Sequence, residues 1–477
     1  MNFYENRQHK DALYYFGLIC SIPHPSGHEK QLAETLKALA EKKGFAAKMD
    51  SAGNLRIDRP AAKGLEYAPR IILQGHLDMV PKAAPGKEFD FTTQPIKLIE
   101  ENGYLHADGT TLGADNGAGA ASALAILFDP ELKAGPLSGV FTISEEIGLI
   151  GANEIDPEML EGDWLFNLDS GDYHNFCIGC AGGARLSFEI PFAVKKTDGN
   201  AFSIQLGGLK GGHSGVRIHE KRGNALILLC QFLQKIGCST VSSLNGGSAD
   251  NAIPADAVAE IVSQLTFEQL EKAAEDFRKE SAETFDAPEN YHIRIAEIPV
   301  PETVIEPELM SQFIKLTATV PNEVFEQDSK LNIVKTSSNF ASVHTENGLI
   351  TVHTSQRSLE DSARENMTEL IRNHFAPLNP HISISGIYPG WPANAESGPI
   401  RFASGIHQEI FGNQPGIYAL HAGLETGAFA KKNPALQIIS FGPEEDEIHT
   451  EQERLHLEHY EEFNQLLRTL IERAAAL

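Results

Sequence analysis

The chain has little cysteine, no long apolar run and no block of positive charge, and each shortage excludes a class of protein. Five cysteines among 477 residues are too few for a disulfide framework, and a reducing cytoplasm suits them best. Cys177 and Cys180 form a single C-x-x-C. Without a second pair or a thioredoxin-like context they read as packed thiols. No stretch approaches the roughly 18 apolar residues that span a bilayer. The opening MNFYENRQHKDALYYF has no basic segment followed by an unbroken apolar one, so no secretory signal is expected. Cations are the sharpest deficit: 39 Lys and Arg stand against 65 Asp and Glu, a formal charge of −26. Nucleic acids and anionic membranes are held by clustered cations, so neither is an expected partner.

What is present is an ordinary globular composition, 42% hydrophobic and 22% charged, in a chain long enough for two or three domains. Near the N-terminus, Ser26-x-x-Glu29 reads as a capping box opening an amphipathic helix with Leu32, Leu36 and Leu39, closed by Gly44. Short apolar runs follow: RIILQ (70–74), GVFTIS (139–144), DWLFNL (163–168) and, far downstream, ALQIISF (435–441). Their length and β-branched content predict buried strands. Between them NGAGAASALAILF (116–128) predicts a helix whose small residues permit close packing on a sheet. Strands alternating with helices imply an α/β domain, a mostly parallel sheet flanked by helices.

Five residues of metal-ligand type punctuate this pattern: His76 in QGHLDMVP, Asp115 in LGADNGAG, Glu146 in SEEIGLIGA, Asp169 in FNLDSG and His449 in EIHTEQE. His76, Glu146, Asp169 and His449 follow predicted strands, and Asp115 opens the small-residue helix. Parallel sheets gather function at the carboxyl ends of their strands. Two imidazoles and three carboxylates are what a pair of divalent cations needs if one carboxylate bridges them. Asp78, two residues after His76 on an extended strand, points the same way and can accept from the far imidazole nitrogen. Asp115 also reads as an N-cap, and the two readings are compatible. The adjacent pair Glu145-Glu146 offers one carboxylate to a metal and one to a reacting water. Thr450-x-x-Glu453 reads as a capping box opening the C-terminal helix.

The first four ligand candidates fall between 76 and 169, and the fifth waits until 449. An inserted domain explains that gap. It begins near GCAGGAR (179–185) and ends near YPGWPANAESGP (388–399), and its alternating runs ARLSFEIPF and GLITVHTSQRS, with a polar-faced helix over 265–280, make it α+β. The expected division is residues 1–183 and 396–477 for the catalytic domain and 184–395 for the insert. His344, His353 and His374 read as surface or packing residues.

With GHLDMVP, LGADNGAG, EEIGLIGA, NLDS, GCAGG, GLKGGHSG and HAGLETG in this order, the chain resembles the M20 family of di-zinc metallopeptidases. More narrowly it is similar to the aminoacyl-histidine dipeptidase (Xaa-His dipeptidase, peptidase D, carnosinase-like) branch over essentially its whole length. The resemblance implies two zinc ions, with cobalt or manganese as possible substitutes. His76 and Asp169 would hold one metal, Glu146 and His449 the other, and Asp115 would bridge. The Asp115-Asn116 peptide would be cis. Glu145 would be the general base and Asp78 the partner of His76. The insert would be a lid domain, serving substrate binding and dimerisation. There His213 would stabilise the reacting carbonyl oxygen, in its own or a partner's site. Arg357 would hold the substrate carboxylate, and Asn251 would touch substrate. HAGLETG (421–427) would line the pocket on the catalytic domain. After NLDS this chain reads GDYHNF where the family has further acidic residues, which bears on substrate preference.

The expected activity is hydrolysis of unblocked L-dipeptides, Xaa-His and β-Ala-His among them, by a hydroxide bridging the two metals, in a cytoplasmic homodimer. The alternatives are an N-acyl-amino-acid amidohydrolase on the same cluster and a metal-binding homologue without turnover. Pure binding has no need of Glu145, which speaks against the last.

Overall fold

The computed structural model describes residues 11–329 and 332–477; most of the N-terminal stretch read for a signal lies outside them. None of the described helices is long and apolar enough to cross a membrane. The chain divides into two compact units. One comprises the described residues through Cys180, with Trp391–Ala419 and Leu424–Leu477; the other is Ala181–Gly390 with Leu420–Gly423.

The first unit is built on an eight-stranded sheet. Its strands are β1 (Ala46–Met49), β2 (Leu55–Arg59), β3 (Ile71–His76), β4 (Leu137–Thr142), β5 (Trp164–Asn167), β6 (Asn175–Cys180), β7 (Gly416–Leu420) and β8 (Gln437–Ser440). Their spatial order is β1-β2-β4-β3-β5-β8-β6-β7. The central strands β4, β3, β5 and β8 run parallel. Antiparallel pairing is confined to the flanks, at β1–β2, β2–β4 and β8–β6. All six residues of β3 and of β4 are buried, as strands covered on both faces require. These four parallel strands are the apolar runs picked out in the sequence, and their carboxyl ends lie side by side.

The helix Ala114–Phe128 is apolar on every side, which suits a segment enclosed by protein. Its regular turns begin only after Asn116, because Asp115 and Asn116 have non-helical dihedrals and the peptide between them is cis. Small residues let it approach β3 closely. A Cβ on Gly75 would stand 2.1 Å from Asn116 Oδ1, so that strand position admits nothing larger than glycine.

Two expected helix starts are placed differently. The first long helix is Lys30–Lys42, with Glu29 as its N-cap but no side-chain cap. Ser26 instead donates to Asp78 Oδ2, and Glu29 accepts from the Gly27 and Ser144 amides. The C-terminal helix is Leu457–Ala474, capped by the His456 side chain. Thr450 donates to the Glu447 carbonyl, and Glu453 is buried elsewhere. In both cases the glutamate of the expected box accepts from backbone amides distant in sequence, Ser144 for Glu29 and Leu112–Asp115 for Glu453.

The second unit carries an antiparallel nine-stranded sheet. Its centre is the long hairpin Ile333–Glu346 and Leu349–Ser358, the latter paired to Gly182–Pro191. The helices Ala225–Lys235, Phe267–Ala282, Pro307–Ala318 and Asp361–Phe375 contribute to one continuous core containing Phe188, Phe232, Phe313, Phe340 and Phe375. Phe267–Ala282 opens with a complete capping box, Thr266 with Gln269. HAGLETG (421–427), expected to line the pocket on the catalytic domain, is divided: 424–427 belong to the first unit, whereas Leu420–Gly423 group with this one, where Ala181 donates to the Leu420 carbonyl and His421 Nε2 lies 2.7 Å from Ser337 Oγ.

Candidate active site

At the carboxyl end of β3, His76 Nε2 lies 3.1 Å from Asp115 Oδ1 and 3.5 Å from Asp169 Oδ1. His449 Nε2 lies 3.1 Å from Asp115 Oδ2 and 2.8 Å from Glu146 Oε1. Asp115 therefore turns one carboxylate oxygen to each histidine. Donor atoms of His76, Asp115 and Glu146 all lie within 4.8 Å of one another and could hold a metal ion. The His449 side chain is 44% exposed, whereas those of His76, Asp169 and Glu146 are at most 8% exposed, so the cluster opens to solvent on the His449 side.

The donor set fits a metal by its tautomers. His76 Nδ1 lies 3.0 Å from the Asp78 carbonyl oxygen, to which it donates. That leaves Nε2 as the nitrogen facing the carboxylates, the one a divalent cation would use once its proton is displaced. The Asp78 carboxylate is farther, at 3.4 Å. Its oxygens instead accept from the backbone amides of Glu145 (2.9 Å) and Glu146 (3.2 Å) and from Ser26. Asp78 thus ties the His76 strand end to the loop bearing both glutamates.

Charges in the cluster are strongly coupled. Burial works to lower the His76 pKa, but the carboxylates of Asp169, Asp115 and Asp78 together lift it well above its ordinary value. Hydrogen bonds to Asp115 and Glu146 raise His449 to about 10. Burial works to raise Asp115, but the two imidazoles hold it well below the carboxylate range. Burial raises Asp169 to about 6. Burial, with Asp169, Glu425 and Glu146 around it, pushes Glu145 well above the range of a free glutamate. A metal must displace protons from these rings to use them. Zinc affinity is therefore expected to rise with pH through neutrality, about tenfold per unit for each proton displaced. Calorimetry in buffers of different ionisation enthalpy measures that proton release; zinc uptake without it would contradict the prediction.

Two carboxylates that local reading of the sequence passes over support this arrangement. Glu453, 2% exposed, accepts from the backbone amides of Leu112, Gly113, Ala114 and Asp115 at 2.9, 3.2, 2.7 and 3.3 Å. It holds the loop that aims Asp115. Glu453→Leu would leave those four amides without their acceptor. A loss of about 3 kcal/mol is expected in urea denaturation, together with weaker zinc binding. Glu425 is wholly buried, and burial, with Asp169 adding to it and His76 opposing, raises it to about 7. Nothing in IHTEQE or HAGLETG taken locally gives either glutamate this buried role.

The remaining candidates lie on the second unit. His213 Nδ1 accepts from the amides of Gly215 and Val216, both at 3.2 Å, so its proton sits on Nε2. Burial, with the Arg357 charge nearby, lowers its pKa and keeps the ring a neutral donor. Asn251 lies beside it, its carbonyl accepting from Ser214 next to the His213–Ala252 pair. Arg357 is 8% exposed and forms no ion pair among the described residues; one guanidinium nitrogen donates to the Tyr388 hydroxyl at 2.8 Å. Gly183 makes room for this contact, since a Cβ there would stand 2.6 Å from the Tyr388 ring. A buried guanidinium with no acid partner is a site for an anion. His374 bonds the Leu316 carbonyl and His344 is exposed, as packing and surface residues are. Cys177 and Cys180 are buried thiols.

The family model for peptidase family M20/M25/M40 matches residues 72–473. The chain is 34% identical over 470 residues to the cytosol non-specific dipeptidase of Escherichia coli (strain K12), covering 97% of each. The structure of aminoacylhistidine dipeptidase from Vibrio alginolyticus superposes with a TM-score of 0.90 at 33% identity, covering 98% of each chain. Aminopeptidase PepT from Bacillus cereus shares the fold, with a TM-score of 0.58 at 18% identity. With a family match across most of its length, this chain belongs to peptidase family M20/M25/M40.

Proposed function

We propose that this chain is a dipeptidase that uses two zinc ions to hydrolyse unblocked L-dipeptides, Xaa-His and β-Ala-His among them. Dipeptide hydrolysis is what its two full-length relatives are named for. The observation that carries the metal reading is the Asp115 carboxylate, with one oxygen toward His76 and the other toward His449. His76 and Asp169 would hold one ion, Glu146 and His449 the other, and Asp115 would serve both. When bound, such a pair brings the pKa of a coordinated water toward ~7 and polarises the scissile carbonyl.

The protein's own groups supply the rest. Glu145, with its raised affinity for a proton, takes the proton of the attacking water and returns one to the leaving amine. Its amide is pinned by Asp78, so the carboxylate stays close to the ligand beside it. The second unit is the lid domain. His213 is its Nε2–H donor to the developing oxyanion, and Arg357 takes the free carboxylate of the substrate. Asn251 contributes a substrate contact beside His213. The lid also carries the contact surface of a homodimer, and the protein works in the cytoplasm.

The test is amine release from L-dipeptides and from N-acyl amino acids, with metal-free protein and with protein reloaded with zinc. Zinc-dependent cleavage confined to unblocked dipeptides is expected. Cleavage of the N-acyl compounds instead would move the chain to an amidohydrolase. Silence on both panels with zinc bound would leave a binding protein without turnover.

A further inference from the structure

Behind the candidate ligands runs a buried ladder of polar side chains that packing alone does not call for. Gln74 on β3 is in register with Asn167 on β5, and Asn167 with Ser440 on β8. Gln74 Oε1 accepts from Asn167 Nδ2 at 2.5 Å, and the Ser440 hydroxyl donates to Asn167 Oδ1. Gln74, Asn167 and Ser440 are each 0% exposed. Gln74 precedes His76 by two positions on the same strand, so both side chains leave the same face. Asn167 likewise precedes Asp169 by two.

Glu425, first residue of the helix Glu425–Lys432, closes the ladder at its other end. Its Oε2 accepts from Gln74 Nε2 at 2.6 Å and from Thr142 Oγ1 at 2.8 Å. Thr142 ends β4, three residues before Glu145. One carboxylate oxygen therefore clamps the two strand ends from which His76 and the Glu145–Glu146 pair emerge. The other oxygen, Oε1, is buried without a hydrogen-bond partner among the described residues. Burying a carboxyl group with an unsatisfied oxygen is costly, and an apolar side chain would fill the same space without that cost.

We propose that Glu425 is a positioning residue, setting the spacing between His76 and the Glu145–Glu146 pair through Gln74 and Thr142. The inference rests on the metallopeptidase reading of the site. Glu425→Gln presents an amide oxygen to the same two donors, whereas Glu425→Leu removes the acceptor at similar volume.

The zinc dissociation constant, by chelator competition, and kcat and KM on a dipeptide are measured for both variants. In Glu425→Leu, kcat is expected to fall and the zinc constant to rise, each by about tenfold or more, with KM nearly unchanged. Glu425→Gln restores both to within about threefold of the parent, a rescue that a group acting through its charge would not show. Adding Gln74→Leu to Glu425→Leu costs little more, because both break one link. Parent-like zinc affinity and kcat in Glu425→Leu would overturn the proposal, and so would Glu425→Gln as impaired as Glu425→Leu. Should Glu425→Leu fail to fold, Thr142→Val removes one of the two donors, and an unchanged zinc constant there overturns it equally. Zinc titration needs no substrate. A parent protein that binds two zinc ions yet cleaves no dipeptide would therefore sink the functional reading and leave this test readable.

Discussion

Glu145→Gln is expected to keep two zinc ions and lose about 10²–10⁴-fold in kcat, the range contributed by a positioned general base. The substitution is nearly isosteric and touches no atom that holds a candidate ligand. The Glu145 amide, which Asp78 anchors at 2.9 Å, is backbone and survives it. What disappears is the proton acceptor. Burial among Asp169, Glu425 and Glu146 gives Glu145 a raised pKa, which suits a group that must accept a proton and later give it up. Metal content by atomic emission and kcat on one dipeptide decide the matter together. Full activity with full metal would remove Glu145 from the reaction, whereas loss of both would make it a ligand rather than a base.

The second large effect is expected at Asp115. Its two oxygens face His76 and His449, each at 3.1 Å, so Asp115→Ala strips a donor from both halves of the cluster at once. Zinc stoichiometry should fall from two to one or fewer. The loss of kcat should exceed the roughly 10–100-fold typical of a residue that only supports a ligand. Asp169→Ala touches only the His76 side. It should leave the His449 side loaded, so comparing the two stoichiometries separates a shared ligand from a single-site one. Two zinc ions in Asp115→Ala would end the bridging assignment.

The two relatives named as dipeptidases match this chain along nearly their whole length, so the fold and the chemical class travel together. Substrate choice within that class is proposed to rest on the second unit. There His213 is held as a neutral Nε2–H donor by two backbone amides. Arg357 is buried with a tyrosine hydroxyl, rather than a carboxylate, for company.

Much of the architecture is legible in the sequence because the constraints there are local. A strand covered on both faces must be apolar throughout, so β3, β4, β5 and β8 announce themselves as short runs. A helix that packs tightly on a sheet must be made of small residues, as 117–125 is. Metal chemistry restricts ligands to a few residue types, and parallel sheets put them at strand ends. His76, Asp115, Glu146, Asp169 and His449 therefore stand out before any coordinates are known. Local reading fails where a residue's partner is distant. Ser26-x-x-Glu29 and Thr450-x-x-Glu453 have the pattern of capping boxes, yet Ser26 serves Asp78, Glu29 serves Ser144 and Glu453 serves the loop at 112–115.

By itself, then, the sequence determined the class of chemistry, the candidate ligand types and the α/β scaffold, since each follows from residue type and from short motifs in a fixed order. Only the tertiary structure decided what holds the ligands in place. It buried Glu453 under the Asp115 loop and Glu425 across the ends of β3 and β4. A glutamate's pattern in sequence is the same whether water or four backbone amides solvate it, and which of them does is settled by long-range packing.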